Sequence, residues 1–199
     1  MGKYQNFQQL GQNEKEGTDF RIRWCVGKCA QTVIVAPHGG GIEPGTSEIA
    51  EAIAGDDFSF YAFEGIKRNG NRALHITSTR FDEPQCLQLV QTSERVITIH
   101  GEGGDDPIVY VGGRDVQLRR RISAALQKAG FVVRTPRSAT LRGEDRNNLC
   151  NRGKAGKGVQ LELSAGLRQK LFVSLTRCGR QKKTTCFDRF VLAIRSALM

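Results

Sequence analysis

Apolar residues recur along this chain in short blocks separated by glycine, proline or polar turns. Eight blocks carry the β-branched and aromatic residues of strands: Phe20 to Val26, Thr32 to Ala36, Phe58 to Phe63, Leu74 to Thr77, Val96 to His100, Ile108 to Val111, Phe131 to Arg134 and Val159 to Leu163. Between them the period changes. From Arg114 to Ala129, Leu118, Ile122, Ala125, Leu126 and Ala129 recur at three- and four-residue steps and Gly130 supplies a stop, which predicts a helix. The same reasoning predicts helices over Ser47 to Ala54 and Phe187 to Leu198. Strands alternating with helices imply an α/β fold, with a central mixed, mostly parallel sheet flanked by helices on both faces.

At 199 residues the chain fits one domain spanning 1–199, with the polar segment Met1 to Gly17 expected to be a loosely attached extension. Pro136 to Gly158 is a long Arg-, Asn- and Gly-rich connection, of the length that is usually functional or mobile. No stretch approaches the roughly 18 apolar residues of a membrane span, and Met1 to Asn13 has no apolar run of a secretory signal. The expectation is a protein made in the cytoplasm, without membrane contact, and monomeric. Cys25, Cys29, Cys86, Cys150, Cys178 and Cys186 then read as mostly reduced thiols. The Cys25/Cys29 pair lacks the further cysteines or histidines that would complete a metal clip.

Charge narrows the partners. Thirty basic against 20 acidic side chains give +10, a field that attracts polyanions: nucleic acid, an anionic membrane or an acidic polymer. A basic nucleic-acid-binding protein is one reading. Against it stand the absence of an RNP-type aromatic run or zinc-finger spacing and an aromatic content of only 7%.

Two of the three histidines follow apolar strands and precede glycine: His38 in VIVAPHGGGIE and His100 in VITIHGEGG. Ligands of open α/β sheets bind beyond the carboxyl ends of strands, where these two imidazoles converge. Gly39 to Gly41 let the chain curl so that Glu43 returns toward His38. Two imidazoles and a carboxylate suit zinc with one position open, the pattern of a hydrolytic site. The bland alternative leaves His100 bonded to backbone, His38 in a turn and Glu43 in solvent. In GVQLELS, alternation sets Gln160 and Glu162 opposite Val159, Leu161 and Leu163. A carboxylate so flanked either pairs with an arginine or works in a site, as a general base for instance.

The strings VAPHGGGIEPGTSEIA (Val35 to Ala50), LHITSTRFDEP (Leu74 to Pro84), VITIHG (Val96 to Gly101) and NLCNRGKAGKGVQLELSAGLR (Asn148 to Arg168) resemble the phage and Bacillus poly-γ-glutamate hydrolase family, long labelled phage-related replication proteins. The resemblance implies a zinc carboxypeptidase-like fold, one zinc ion per chain held by His38, Glu43 and His100, and hydrolysis of the γ-amide bonds of poly-γ-glutamate by metal-activated water. By similarity to zinc carboxypeptidases, Glu162 is the catalytic base. The spacing departs from theirs, with four residues between His38 and Glu43 instead of two, and no motif singles out Tyr61 or Tyr110 as an equivalent of their tyrosine. Each residue of the substrate carries a free carboxylate, which arginine binds bidentately; the candidates are Arg152 first, then Arg80, Arg114 and Arg168. His75 reads as a supporting histidine, with Asp82 and Glu83 near enough to orient it. A second zinc reading hydrolyses small N-acyl-glutamates or peptidoglycan γ-linkages. The family's phage association implies action on the extracellular polymer after host lysis.

Overall fold

In the computed structural model, which describes residues 3–136 and 138–199, the chain runs α1 (Phe7–Gly11), β1 (Phe20–Cys25), β2 (Cys29–Gly40), α2 (Thr46–Ala54), β3 (Phe58–Gly65), α3 (Pro84–Thr92), β4 (Arg95–Gly101), β5 (Ile108–Gly112), α4 (Val116–Lys128), β6 (Val132–Arg134), α5 (Ala139–Arg142), β7 (Val159–Leu163), α6 (Ala165–Leu171) and α7 (Thr185–Leu198). The strands form one seven-stranded mixed sheet in the order β1-β3-β2-β4-β7-β5-β6. The central strands β3, β2, β4 and β7 are mutually parallel, whereas β1 runs antiparallel to β3 and β5 antiparallel to β7. From β2 the chain goes to β3 on one side and later to β4 on the other. That reversal opens a crevice at the carboxyl ends of β2 and β4.

Both faces of the sheet are covered, which is why β2 and β3 are apolar without alternation. One face buries Ile34, Ala36, Ile97, Ile99 and Leu161 beneath α2, α4, α6 and α7. The other buries Val33, Val35, Tyr61, Phe63 and Val96 beneath the N-terminal segment, α3 and the connection that precedes it. The helix α4 forms as its periodicity predicts: Asp115 caps it by accepting from the Leu118 amide, and Leu118, Ile122 and Leu126 are buried.

Three expectations need correction. Leu74 to Thr77 forms no strand. A 3-10 turn over Asn71–Leu74 delivers Leu74 and Ile76, both fully buried, onto the face of the sheet, so the alternation reflects packing without a ladder partner. The segment before Gly17 is not loosely held over its described part. Tyr4 and Leu10 are buried, Phe7 sits edge-on to Phe20 and Phe63, and Tyr4 donates to Glu14, which also pairs with Lys67. Third, α3 was missed. Its signals are Glu83 accepting from the Gln85 and Cys86 amides and Pro84 in the first turn, where its missing N–H costs nothing. The long connection is pinned as well: Asn151 donates to the Gly143 and Asp145 carbonyls and accepts from the Gly158 amide. Residue 137 of that connection lies outside the described residues, as do residues 1 and 2. The described cysteines are unpaired; burial pushes the Cys150 thiol up to about 12, which keeps it protonated and inert.

Phe190 is fully buried between α7 and the sheet, edge-on to Phe131 at 5.1 Å. Phe190→Ala leaves a cavity there and is expected to cost roughly 3–5 kcal/mol, read as a lower midpoint in chemical denaturation with unchanged slope.

Candidate metal centre

A register shift in β2 builds the site. Val33 and Val35 face one side of the sheet and Ile34 and Ala36 the other, so simple alternation sends His38 to the side of Ile34. Between Ala36 and Gly39, however, the pairing of β2 with β3 slips: Ala36 lies opposite Ala62, but Gly39 lies opposite Glu64. The extra residue reverses the parity and turns His38 onto the face that β4 also presents through Val96, Thr98 and His100. His38 thus lies within β2, which runs on to Gly40 past the exit expected after Ala36, and His100 lies within β4, as its apolar run predicts. On β7, the cross-strand neighbour of His100 is Glu162.

Glu43 returns as the glycine run allows. Its amide donates to the His38 carbonyl at 2.9 Å, closing the loop, and Gly40 takes a φ of 64°, with Gly65 too close for a side chain there. The carboxylate then lies with Oε1 3.1 Å from His38 Nδ1 and Oε2 3.8 Å from His100 Nδ1, while the two Nδ1 atoms are 3.2 Å apart. Donors around a tetrahedral zinc at ordinary bond lengths are separated by about 3.3 Å, so the set fits a zinc ion. His38 Nε2–H donates to the Ile76 carbonyl at 2.7 Å, which fixes the ring with Nδ1 turned toward Glu43 and His100. Burial pushes His100 down to about 3, against the attraction of Glu43, so its ring is neutral. For Glu43, burial works upward, yet His38 and the other imidazoles hold the carboxyl far below its ordinary range. His75 stacks on His38 at 3.9 Å between centroids and brings Nε2 to 3.5 Å from Glu43 Oε1; His38, Glu43 and His75 have ligand atoms within 4.8 Å of one another. Asp82 and Glu83 do not orient it. Asp82 accepts from the Phe7 amide, and Glu83 is the cap of α3.

Glu162 is buried beside this group, its Oε1 accepting from Gln160 Nε2 at 2.9 Å. Burial, Glu43 and Glu102 raise its pKa well above the ordinary carboxyl range, against Arg168. The cleft has two lobes that share Glu43, His75 and Glu102. The larger, of about 1000 Å³, is walled by Lys3, Arg72 and Arg168; the smaller, of about 490 Å³, contains His38, His100 and Glu162 and is closed by Leu141 to Asp145.

The four candidate arginines part company. Arg168 lines the larger lobe, but its guanidinium already donates to the carbonyls of Leu163, Pro44 and Glu102, next to Glu162, next to Glu43 and at Glu102 itself. It is a strut that ties the three acidic segments together. Arg152, the first choice, lines neither lobe and donates to the Phe81 carbonyl at 2.7 Å. Arg80 is exposed and bonds Gln5, and Arg114 is also off the cleft. Sequence reasoning passed over Lys3, Arg72 and Arg142, since nothing in the pattern distinguishes them from solvated cations. Gly101 fits tightly among these parts. Its amide donates to Glu43 Oε2 at 2.8 Å, and a Cβ there would meet Arg168 Cζ at 2.8 Å and Glu43 Cβ at 3.0 Å. Gly101→Ala is therefore expected to weaken metal binding in a competitive chelator titration and to lower turnover by on the order of 10²-fold, the cost of misplacing a site by about 1 Å.

Comparison with known proteins places these features in context. A family model described as poly-γ-glutamate hydrolase matches residues 4–193. The chain is 38% identical over 179 residues to the SPβ prophage-derived protein YoqZ of Bacillus subtilis, covering 89% of this chain and 64% of that protein. It is 40% identical over 170 residues to YndL of the same organism, covering 85% of this chain and 66% of YndL. The chain thus spans about two thirds of the length of these two relatives. The structure of a bacteriophage poly-γ-glutamate hydrolase matches with a TM-score of 0.93 at 30% identity, covering 100% of this chain and 97% of the other. A zinc-free apo form of YndL matches at 0.92 and 36%, with 100% and 98% covered.

Proposed function

This chain belongs to the poly-γ-glutamate hydrolase family, and we propose that it cleaves the γ-amide bonds of poly-γ-glutamate with a zinc ion held by His38, Glu43 and His100 and with Glu162 carrying the proton. The observation that bears most weight is the convergence of the His38 and His100 Nδ1 atoms and the Glu43 carboxylate across 3.1 to 3.8 Å. Two imidazole nitrogens and a carboxylate gathered at one point are a donor set that suits a divalent cation. A zinc-free form of a relative with the same fold supports zinc as that cation.

When bound, zinc polarises the scissile carbonyl and acidifies the attacking water toward a pKa of about 7. The side chains of the chain do the rest. Glu162 faces the same space as His100 from the adjacent strand, and Gln160 fixes its orientation. Burial and two neighbouring carboxylates raise its pKa well above the ordinary carboxyl range, the direction that suits a carboxyl which both takes and gives a proton. It accepts the proton of the attacking water and passes it to the departing amine. That amine must lie within hydrogen-bond reach of Glu162, so the amine-side product occupies the smaller lobe and the acyl side of the chain the larger. Lys3 and Arg72 there face the successive carboxylates of the acyl side, while Arg168 keeps the walls in register.

Chelation is expected to stop the shortening of poly-γ-glutamate, followed by gel filtration, and added zinc to restore it; a chelated protein at full activity would overturn the metal reading. Glu162→Gln is expected to keep wild-type zinc content by elemental analysis and to lose about 10²- to 10⁴-fold in turnover. A Glu162→Gln protein working at the wild-type rate would remove Glu162 from the proton path.

A further inference from the structure

A second cationic cavity, of about 500 Å³, lies away from the metal centre where β5 and β6 meet α4. Arg119, Arg120 and Arg134 line it, no acidic side chain among the described residues does, and Val111, Val116 and Val133 provide apolar surface. Two of the guanidiniums are held by backbone: Arg119 Nη1 donates to the Gly113 carbonyl at 3.0 Å and Arg134 Nη1 to the Val133 carbonyl at 3.2 Å. Each keeps further N–H groups for a ligand. The cavity is linked to the catalytic cleft. Glu144 sits 3.8 Å from Arg119 Nη1 and, through its other oxygen, 3.6 Å from Arg142 Nε, and both Glu144 and Arg142 line the smaller lobe. Arg142, Arg119, Arg120 and Arg134 thus form a run of four guanidiniums from the rim of the smaller lobe, where Glu144 and Asp145 lie, to the cavity.

We infer that this cavity is an exosite for a stretch of polycarboxylate chain lying on the amine side of the bond to be cut. The inference rests on the proposed hydrolysis of poly-γ-glutamate. A γ-linked glutamate chain offers a carboxylate and two methylenes per residue, and the cavity offers forks that bind carboxylates bidentately beside valine side chains that cover methylenes. A chain held at both places binds the second intramolecularly, which raises its apparent affinity without any new contact at the metal centre. This gives part of the charge of +10 a task that the catalytic cleft leaves unassigned.

The test is the Arg120→Ala/Arg134→Ala double variant, both positions being exposed. Its KM for long poly-γ-glutamate is expected to rise roughly tenfold or more, with a shallower dependence on salt, while kcat/KM for γ-linked glutamate tripeptides stays at the wild-type value. An unchanged KM for the polymer overturns the exosite, as does an equal loss on tripeptide and polymer. Binding supplies a second arm, independent of turnover. Fluorescently labelled polymer should bind Glu162→Gln protein and be released when the two alanines are added, with thermal unfolding unaltered. Duplex DNA of equal charge that displaces the polymer equally well would overturn the assignment to a polycarboxylate. Wild-type protein that binds but never cleaves the polymer would instead sink the hydrolase reading and leave the exosite standing.

Discussion

Two imidazoles and a carboxylate drawn to one point at the ends of β2 and β4 are the constraint around which this structure is organised. Each of these polar groups loses hydration where it is buried. They stay together because the backbone leaves them no alternative. His38 is locked by the Ile76 carbonyl, Glu43 by the Gly101 amide and by its own turn onto the His38 carbonyl, and His100 by a strand paired on both sides. Donors held together in this way by backbone are pre-organised, and any cation bound to them only in the folded state adds to the stability of the fold.

Arg168 is the second element of that pre-organisation. A buried guanidinium is costly unless its N–H groups are paired, and here each of its three nitrogens reaches a different segment of chain. Those segments carry Glu43, Glu102 and Glu162. Their negative charge compensates the guanidinium, while its geometry sets their separation. The division of labour is physical: the charged strut fixes the acidic loops, and the less buried cations Lys3, Arg72 and Arg142 remain open to a substrate.

The distribution of the remaining charge follows the same economy. Arg180, deep in the fold, is ion-paired to Glu48 and hydrogen-bonded to the Leu175 carbonyl. Arg168 aside, the cations along the cleft and the α4 cavity are more exposed: Arg119 and Arg134 donate to backbone carbonyls, Arg119 and Arg142 flank Glu144, and Lys3 lies 3.6 Å from Glu14.

Much of this was legible in the sequence because it depends on local period and residue chemistry. Leu118, Ile122 and Leu126 announce α4; the apolar runs before His38 and His100 announce β2 and β4; the glycines after His38 announce the return of Glu43. The alternation of GVQLELS correctly separates Glu162 from its leucine neighbours. The irregular segments were harder. Leu74 and Ile76 alternate like a strand but lie on the face of the sheet, and the polar segment near the N-terminus hides Tyr4, Phe7 and Leu10, apolar contacts too sparse to form a period. The roles of the arginines were opaque, since a guanidinium reads the same in sequence whether it opens onto the cleft, as Arg72 does, or braces backbone, as Arg152 and Arg168 do. By itself the sequence determined the kinds of donor, their order along the chain and the strands that carry them, because these follow from side-chain chemistry and short-range periodicity. Only the tertiary structure decided that the donors meet. The slip of β2 against β3 that turns His38 toward His100 is a property of two paired strands, and neither strand records it alone.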